Sequence, residues 1–268
     1  MNTEHSFQPP IPSALILGRG YVAKALLAFH SLGFCVTSRK GTTQGNGSFE
    51  QPKYFDLDDP GSWSVVESFE QIVWTFPAAQ KDAEIEKSLR FFESKCLQKK
   101  RVLILASTSA YRVNTVGALV DEKFPLDFNQ PRVRAEEDLR DRGACVLHLA
   151  GIYGTGRDPV SWLQRGLIKN PDSFINLIHI SDICHIMMRW LYSDGLSGRR
   201  LNASDGRHRT WNKLIEDLKR ASLLDARFEL TPDLGSPQGT SSKRICNEVL
   251  LKELYSGPFH SYPEEGLG

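Results

Sequence analysis

The chain reads as an α/β protein built on a doubly wound parallel sheet. Three observations carry that reading. Apolar runs of strand length alternate with amphipathic runs of helix length through the first 150 residues. A glycine-rich turn joins the first strand to the first helix. The spacing between strands leaves room for a crossover helix each time, as parallel pairing requires.

Taken in order, residues 14–17 form an apolar strand, followed by a glycine turn and a helix over 22–32. A second strand covers 34–37, and the turn-rich stretch 40–53 is a loop. Residues 54–58 suit a short third strand, 61–70 a helix and 71–76 a fourth strand. Helical spacing of Ile85, Leu89, Phe92 and Cys96 predicts a helix over 79–98. Residues 101–106 are a buried fifth strand, 131–142 a charged helix and 144–149 a sixth strand. Past Gly151, Pro, Gly and Asn become frequent, with helices expected over 159–169, 181–193, 211–223 and near 245–254. The expected organisation is a flexible terminus over 1–12, a core over 13–158, and a small substrate lobe over 159–268 interleaved with returning sheet elements.

The glycine turn has the form G-x-G-x-x-A, on Gly18, Gly20 and Ala23, with Arg19, Tyr21 and Val22 between them. Gly18 permits the tight turn, Gly20 lets a pyrophosphate approach the backbone, and Ala23 lets helix and strand pack closely. The helix start then offers free N–H groups and a positive dipole end to phosphates. This predicts an NAD(P)-binding Rossmann fold. NAD sites commonly carry an acid after the second strand. Here Ser38, Arg39 and Lys40 follow Thr37. A guanidinium can pair with a 2′-phosphate and stack on adenine, so NADP is expected in preference to NAD, with Arg39 the main contact.

Composition narrows the field. With 33 basic and 32 acidic residues the formal charge is +1, which gives no support for a nucleic-acid or membrane-surface partner. No apolar run is long enough to span a bilayer. Five dispersed cysteines lack any C-x-x-C pattern, as expected in a reducing compartment such as the cytoplasm. Neither the scattered histidines nor Asp56, Asp58 and Asp59 supply a metal-ligand set, so no metal is expected.

Further motifs fall at the carboxyl ends of strands, where ligands of such sheets bind. Ser-Thr-Ser-Ala-Tyr over 107–111 brings hydroxyls to the edge, and Leu-Ala-Gly-Ile-Tyr-Gly-Thr-Gly-Arg over 149–157 is a turn with little bulk. Ile-His-Ile-Ser-Asp over 178–182 sets His179 among hydrophobes. Asp182 reads as a helix cap.

With the Asp56–Leu57 pair, these pieces resemble the extended, atypical branch of the short-chain dehydrogenase/reductase superfamily, of the NAD-dependent epimerase/dehydratase type. The likeness is closest to the YeeZ-like Rossmann proteins and includes the segment Arg-Ile-Cys-Asn-Glu over 244–248. The resemblance implies a catalytic hydroxyl at Ser107, and Asp56 on the adenine amino group with Leu57 beside it. It implies Thr75, Phe76 and Pro77 lining the cofactor, and Gly151, Ile152 and Tyr153 near the nicotinamide. His179 is either a substrate contact or a structural histidine; Ser109, Arg134 and Arg157 join it as substrate-side candidates. The superfamily's Y-x-x-x-K proton-donor motif occurs nowhere in the chain, and the region some 25 residues after Ser107 holds neither Tyr nor Lys. Tyr111 and Tyr153 are the substitute donors to consider. Arg132 and Arg134 either replace the lysine's charge or form a solvated helix start. That superfamily often dimerises through helices flanking the fourth and fifth strands, which makes a homodimer one state to consider. Two readings follow: an oxidoreductase or epimerase-like enzyme acting on a small carbonyl or nucleotide-sugar-like substrate, or a non-catalytic NADP-binding sensor or scaffold.

Overall fold

A computed structural model describes residues 14–29, 34–40, 52–97, 100–230, 242–260 and 262. The expected flexible terminus, the end of the first helix and the loop after the second strand lie outside the described residues. In chain order, β1 (Ala14–Leu17), α1 (Tyr21–Phe29), β2 (Phe34–Ser38) and β3 (Lys53–Tyr54) lead to a 3₁₀ helix over Pro60–Val66. Then come β4 (Gln71–Trp74), α2 (Asp82–Lys95), β5 (Arg101–Ser107), β6 (Ala118–Val120), α3 (Pro131–Asp141) and β7 (Cys145–Leu149). The remainder holds β8 (Gly151–Tyr153), α4 (Pro159–Gln164), β9 (Phe174–Ile175), β10 (Leu177–His179), α5 (Ile180–Tyr192), β11 (Arg200–Ala203) and β12 (Arg209–Thr210). It ends with α6 (Trp211–Arg220), β13 (Lys243–Ile245) and α7 (Glu248–Glu253).

Seven strands form one sheet in the order β11-β7-β5-β4-β1-β2-β3. Every neighbouring pair in it is parallel. The sequence therefore gave the right fold class. Strands β1, β4 and β7 are buried along their whole length, which explains why they are apolar apart from Gln71 and His148. Cores lie on both faces. One packs α1 and α5 over β1, β5 and β7 through Leu26, Ile183, Met187 and Trp190. The other packs α2 and α3 through Phe91, Phe92 and Leu139 against Trp74 and Ile104.

Several boundaries differ from expectation for physical reasons. The helix expected over 61–70 is a 3₁₀ helix, started by Pro60 and capped by Asp59, whose carboxylate accepts from the Gly61 N–H at 3.0 Å. The helix expected from 79 starts at Asp82, because the Glu84 carboxylate reaches back to the Gln80 N–H. The turn expected over 149–157 begins as strand β8, paired in parallel with β10. Strand β11 brings a segment from beyond residue 158 back to the edge of the main sheet.

Candidate functional site

The order of the sheet reverses between β1 and β4, so their carboxyl ends leave a crevice. The glycine turn fills one side of it. Gly18 has φ of +99°, and its N–H donates to Thr37 Oγ1 at 2.9 Å. Thr75 Oγ1 donates to the Leu17 carbonyl at 2.8 Å. Two threonines thus fasten the turn from the flanking strands. A Cβ on Gly18 would lie 2.8 Å from Thr75 Oγ1, whereas a Cβ on Gly20 would meet nothing within 4 Å. The start of α1, from Tyr21 and Val22, opens onto that space with its first-turn N–H groups. Arg19 and Gly20 are exposed on the turn. The geometry fits a diphosphate: a rigid rim, an empty approach and aligned donors.

The opposite rim is the turn after β8. Gly154 has φ of +133° and bridges to Arg157. The Tyr21 hydroxyl donates to the Thr155 carbonyl at 3.0 Å, and the Arg157 guanidinium lies 4.3 Å over the Tyr21 ring. Arg157 is therefore brought against the glycine turn. Gly151 is exposed, Ile152 half-buried and Tyr153 fully buried.

At the end of β2, Ser38 Oγ accepts from the Lys40 N–H at 3.2 Å, and Arg39 and Lys40 are exposed. The Asp56 Oδ1 accepts from the Asp58 N–H at 3.0 Å; Leu57 packs against the adjoining core. Lys87 pairs with Asp58, holding that carboxyl below its usual range. Beyond β4, Phe76 leans on Trp74 with ring centres 5.3 Å apart, and Pro77 is exposed.

The hydroxyl cluster follows β5. Ser107 Oγ and Ser109 Oγ are 2.9 Å apart. Neither tyrosine candidate reaches them as a free donor. Tyr111 is 4 % exposed and donates inward to Asn202 Oδ1 at 2.7 Å. Tyr153 donates to the His260 carbonyl at 3.2 Å. Burial raises the pKa of both phenols, the wrong direction for an acid that must exchange its proton near neutrality. Arg134 turns away, pairing with Asp82 and the Phe128 carbonyl.

The neighbouring arginine is the one that meets the cluster. Arg132 Nη2 donates to Ser109 Oγ at 3.0 Å and to Gln130 Oε1 at 2.9 Å. Its Nη1 lies 3.6 Å from Glu136 Oε2, an oxygen with no hydrogen-bond partner. Arg132 stands 25 residues after Ser107 and Glu136 four residues later. Those are the spacings at which the resemblance would put Tyr and Lys. Sequence reading weighs Arg132 and Arg134 together as a replacement for the lysine's charge and puts only Arg134 on the substrate side. No spacing singles Arg132 out, because Arg134 also has an acid four residues on, Asp138; packing makes the choice by turning Arg132 to Ser109 and Arg134 to Asp82.

Glu136 is 2 % exposed, and burial pushes its carboxyl from the usual 4.5 up to about 7, against the lowering effect of Arg132 and with a further rise from Glu137. A carboxyl whose folded pKa is raised contributes stability that is present below pH 4.5 and lost as pH rises through 7. Glu136→Gln is therefore expected to be more stable than the native chain at pH 8, by on the order of 1–3 kcal/mol, and about equal at pH 4.5. Urea unfolding at the two pH values checks this; an equal gain at both would contradict it.

His179 and Asp182 serve a different structure. The residue capping α5 is His179, whose Nδ1 accepts from the Ser181 N–H at 3.3 Å. Asp182, fully buried, instead accepts from the His260 N–H at 3.0 Å and from its Nδ1 at 2.7 Å. His260 in turn lies 4.2 Å from the His179 ring. The pair thus anchors the C-terminal segment over α5. A Cβ on Gly154 would lie 3.1 Å from His179 Nε2, so this ring supports the turn that carries Arg157.

No protein-family model matches the chain. The protein YeeZ of Escherichia coli K12 is 25% identical over 166 residues, 59% of this chain and 60% of YeeZ. The chain thus spans 60% of the length of the curated relatives it matches. Among solved structures, the L-threonine dehydrogenase of Phytophthora infestans superposes with a TM-score of 0.75 at 12% identity, over 94% of this chain and 95% of that one. The chain shares the α/β, Rossmann-like fold of that dehydrogenase. RMD of Pseudomonas aeruginosa, complexed with NADPH, matches with a TM-score of 0.69 at 16% identity over 96% of each chain. MoeE5 in complex with UDP-glucuronic acid and NAD matches at 0.68 and 15% identity, over 95% of this chain and 96% of that one. No helix among the described residues is long and apolar enough to cross a membrane.

Proposed function

We propose that the chain is an NAD(P)-dependent protein of oxidoreductase or epimerase-like type, preferring NADP, that acts on a small carbonyl compound. The observation that carries this reading is the glycine turn: fastened by Thr37 and Thr75, open at Gly20, and placed where the sheet order reverses. Such a dinucleotide supplies a hydride donor or acceptor when bound. The chain's own residues hold and polarise. Gly18, Arg19, Gly20, Tyr21 and Val22 would cradle the diphosphate, with Arg157 above it. Asp56 and Leu57 would meet the adenine, and Thr75, Phe76, Pro77, Gly151 and Ile152 would bound the nicotinamide side. Ser107 would donate to the substrate oxygen, and Arg132, through Ser109, would favour negative charge developing there. An arginine does not release its proton at working pH, so this arrangement stabilises an oxyanion rather than protonating it.

Ser38, Arg39 and Lys40 would face the 2′-phosphate. Arg39→Ala is expected to weaken NADP(H) binding at least tenfold and to leave NAD(H) within about twofold, since one charge-assisted contact is worth about 1.5–3 kcal/mol. Calorimetry with both dinucleotides decides it, and equal weakening of the two would remove the NADP assignment.

The burial of Tyr111 and Tyr153 favours a second reading, a protein that binds NADP(H) and reports on it without turnover. Tight NADPH binding without oxidation by a panel of small aldehydes, ketones and 2-oxo acids would select that reading.

A further inference from the structure

The rim opposite the glycine turn is gripped from behind by the C-terminal segment. The turn over 154–157 closes on itself: the Gly154 N–H donates to the Arg157 carbonyl at 2.9 Å, and the Arg157 N–H returns the bond at 2.8 Å. Tyr153 stands just before that turn and Asp158 just after it. The Tyr153 hydroxyl donates to the His260 carbonyl at 3.2 Å, and its ring packs edge-on against Tyr262 with centres 5.1 Å apart. The Tyr262 hydroxyl donates to Asp158 Oδ1 at 2.6 Å, an oxygen that also caps α4 by accepting from the Val160 N–H at 3.0 Å. Both ends of the turn are thus held by residues more than a hundred positions later in the chain. On its other side the turn meets the cofactor crevice, where Thr155 accepts from the Tyr21 hydroxyl and Arg157 covers the Tyr21 ring.

The gripping residues are themselves fixed. Asp182, fully buried in the first turn of α5, commits both carboxylate oxygens to His260, one to its N–H and one to Nδ1. The buried Arg209 donates to the Tyr262 carbonyl at 3.0 Å and, through its other terminal nitrogen, to Asp205 Oδ2 at 2.9 Å. An apolar residue of similar volume would serve the fold as well as a buried carboxylate; the carboxylate confines His260 to one place.

We propose that His260 and Tyr262, with Asp182 as anchor, are positioning residues of the dinucleotide site: they fix the turn over 154–157 and so hold Arg157 over the glycine turn, where the diphosphate would lie. This rests on the reading of the glycine turn as the diphosphate cradle and adds how its second rim is set. The action is preorganisation. A guanidinium already held in place loses less freedom when an anion arrives than one on a loose turn, so its charge-assisted bond to phosphate appears more fully as affinity. The glycine turn is fastened independently, by Thr37 and Thr75. Loosening the C-terminal grip therefore removes only the part of the binding that Arg157 supplies.

The test uses the full chain. His260→Phe keeps an aromatic ring and removes the side-chain donor to Asp182, whereas His260→Asn places an amide N–H where Nδ1 stands. Tyr262→Phe removes only the hydroxyl on Asp158. NADPH affinity by calorimetry is expected to fall about tenfold in His260→Phe and about threefold in Tyr262→Phe, and to stay within about twofold of native in His260→Asn. Hydrogen exchange of the cofactor-free chain is expected to quicken at the Gly154 and Arg157 amides of His260→Phe and to stay unchanged in β1 and β4. The deciding readout is the cycle with Arg157→Ala, in which His260→Phe is expected to cause no further loss of affinity, because His260 acts through Arg157. A purely structural histidine would give additive losses, which would overturn the proposal. So would NADPH affinity that His260→Phe and Tyr262→Phe both retain, and that result would leave the cofactor reading standing. If His260→Phe does not fold, Tyr262→Phe carries the same cycle. No NADPH binding by the native chain would overturn the cofactor reading and this proposal with it.

Discussion

Gly20→Val is expected to abolish dinucleotide binding, with an affinity loss of a hundredfold or more, while the folded chain keeps its stability to within about 0.5 kcal/mol. The reasoning is geometric. A Cβ at Gly20 has ordinary φ and meets no atom within 4 Å, so the fold has room for a side chain. That room is the approach that a diphosphate needs to reach the first-turn N–H groups of α1. Gly18→Ala should behave in the opposite way. Its φ of +99° disfavours any L side chain, and the new Cβ would press on Thr75 Oγ1 at 2.8 Å. The displaced threonine would give up its bond to the Leu17 carbonyl. A stability loss of about 1–3 kcal/mol is expected, with binding lost in consequence. Chemical denaturation and NADPH titration of the two variants separate the roles. Unchanged NADPH affinity in a folded Gly20→Val chain would show that the opening is not the cofactor's.

The contrast also shows what the sequence made legible. The glycine turn and the strands of the parallel sheet follow from local pattern, because the fully buried strands are apolar apart from Gln71 in β4 and His148 in β7. Strand β11 escaped because its inward positions include Asn202, and β6 and β13 because three residues leave no period to count. The proposed cofactor side consists of short local motifs at strand ends, over 18–22, 38–40, 56–57 and 75–77, so each could be read locally. The proposed substrate side is assembled from the start of α3 and the end of β5, which meet through the Arg132–Ser109 bond across 23 residues of chain. The two tyrosines show the converse limit. Each stands in a motif at a strand end, yet which way a phenol points is decided by its partner, Asn202 for one and the His260 carbonyl for the other.

Asn202→Leu is expected to be among the most destabilising polar substitutions in the chain, costing about 2–5 kcal/mol. Asn202 is fully buried on β11 and ties three separate segments together. Its Oδ1 accepts from the Tyr111 hydroxyl at 2.7 Å, and its Nδ2 donates to the Cys246 carbonyl at 3.2 Å. Its own N–H donates to the buried Glu122 Oε1 at 2.9 Å. Leucine has similar volume, so the packing change is small and the loss comes from two partners stranded in a dry interior. Tyr111→Phe removes only one of those partners and leaves the Asn202 oxygen facing it, for an expected loss of about 1–2 kcal/mol. The double variant should lose less than the sum of the two, because the hydroxyl and the amide oxygen are then both gone. Urea unfolding of the three variants gives the coupling. Turnover or NADPH binding measured on folded Tyr111→Phe gives the functional half of the answer. A buried phenol that only braces β11 can be replaced without a change in either, whereas a proton donor cannot, and a large loss of turnover at native stability would return Tyr111 to the chemistry.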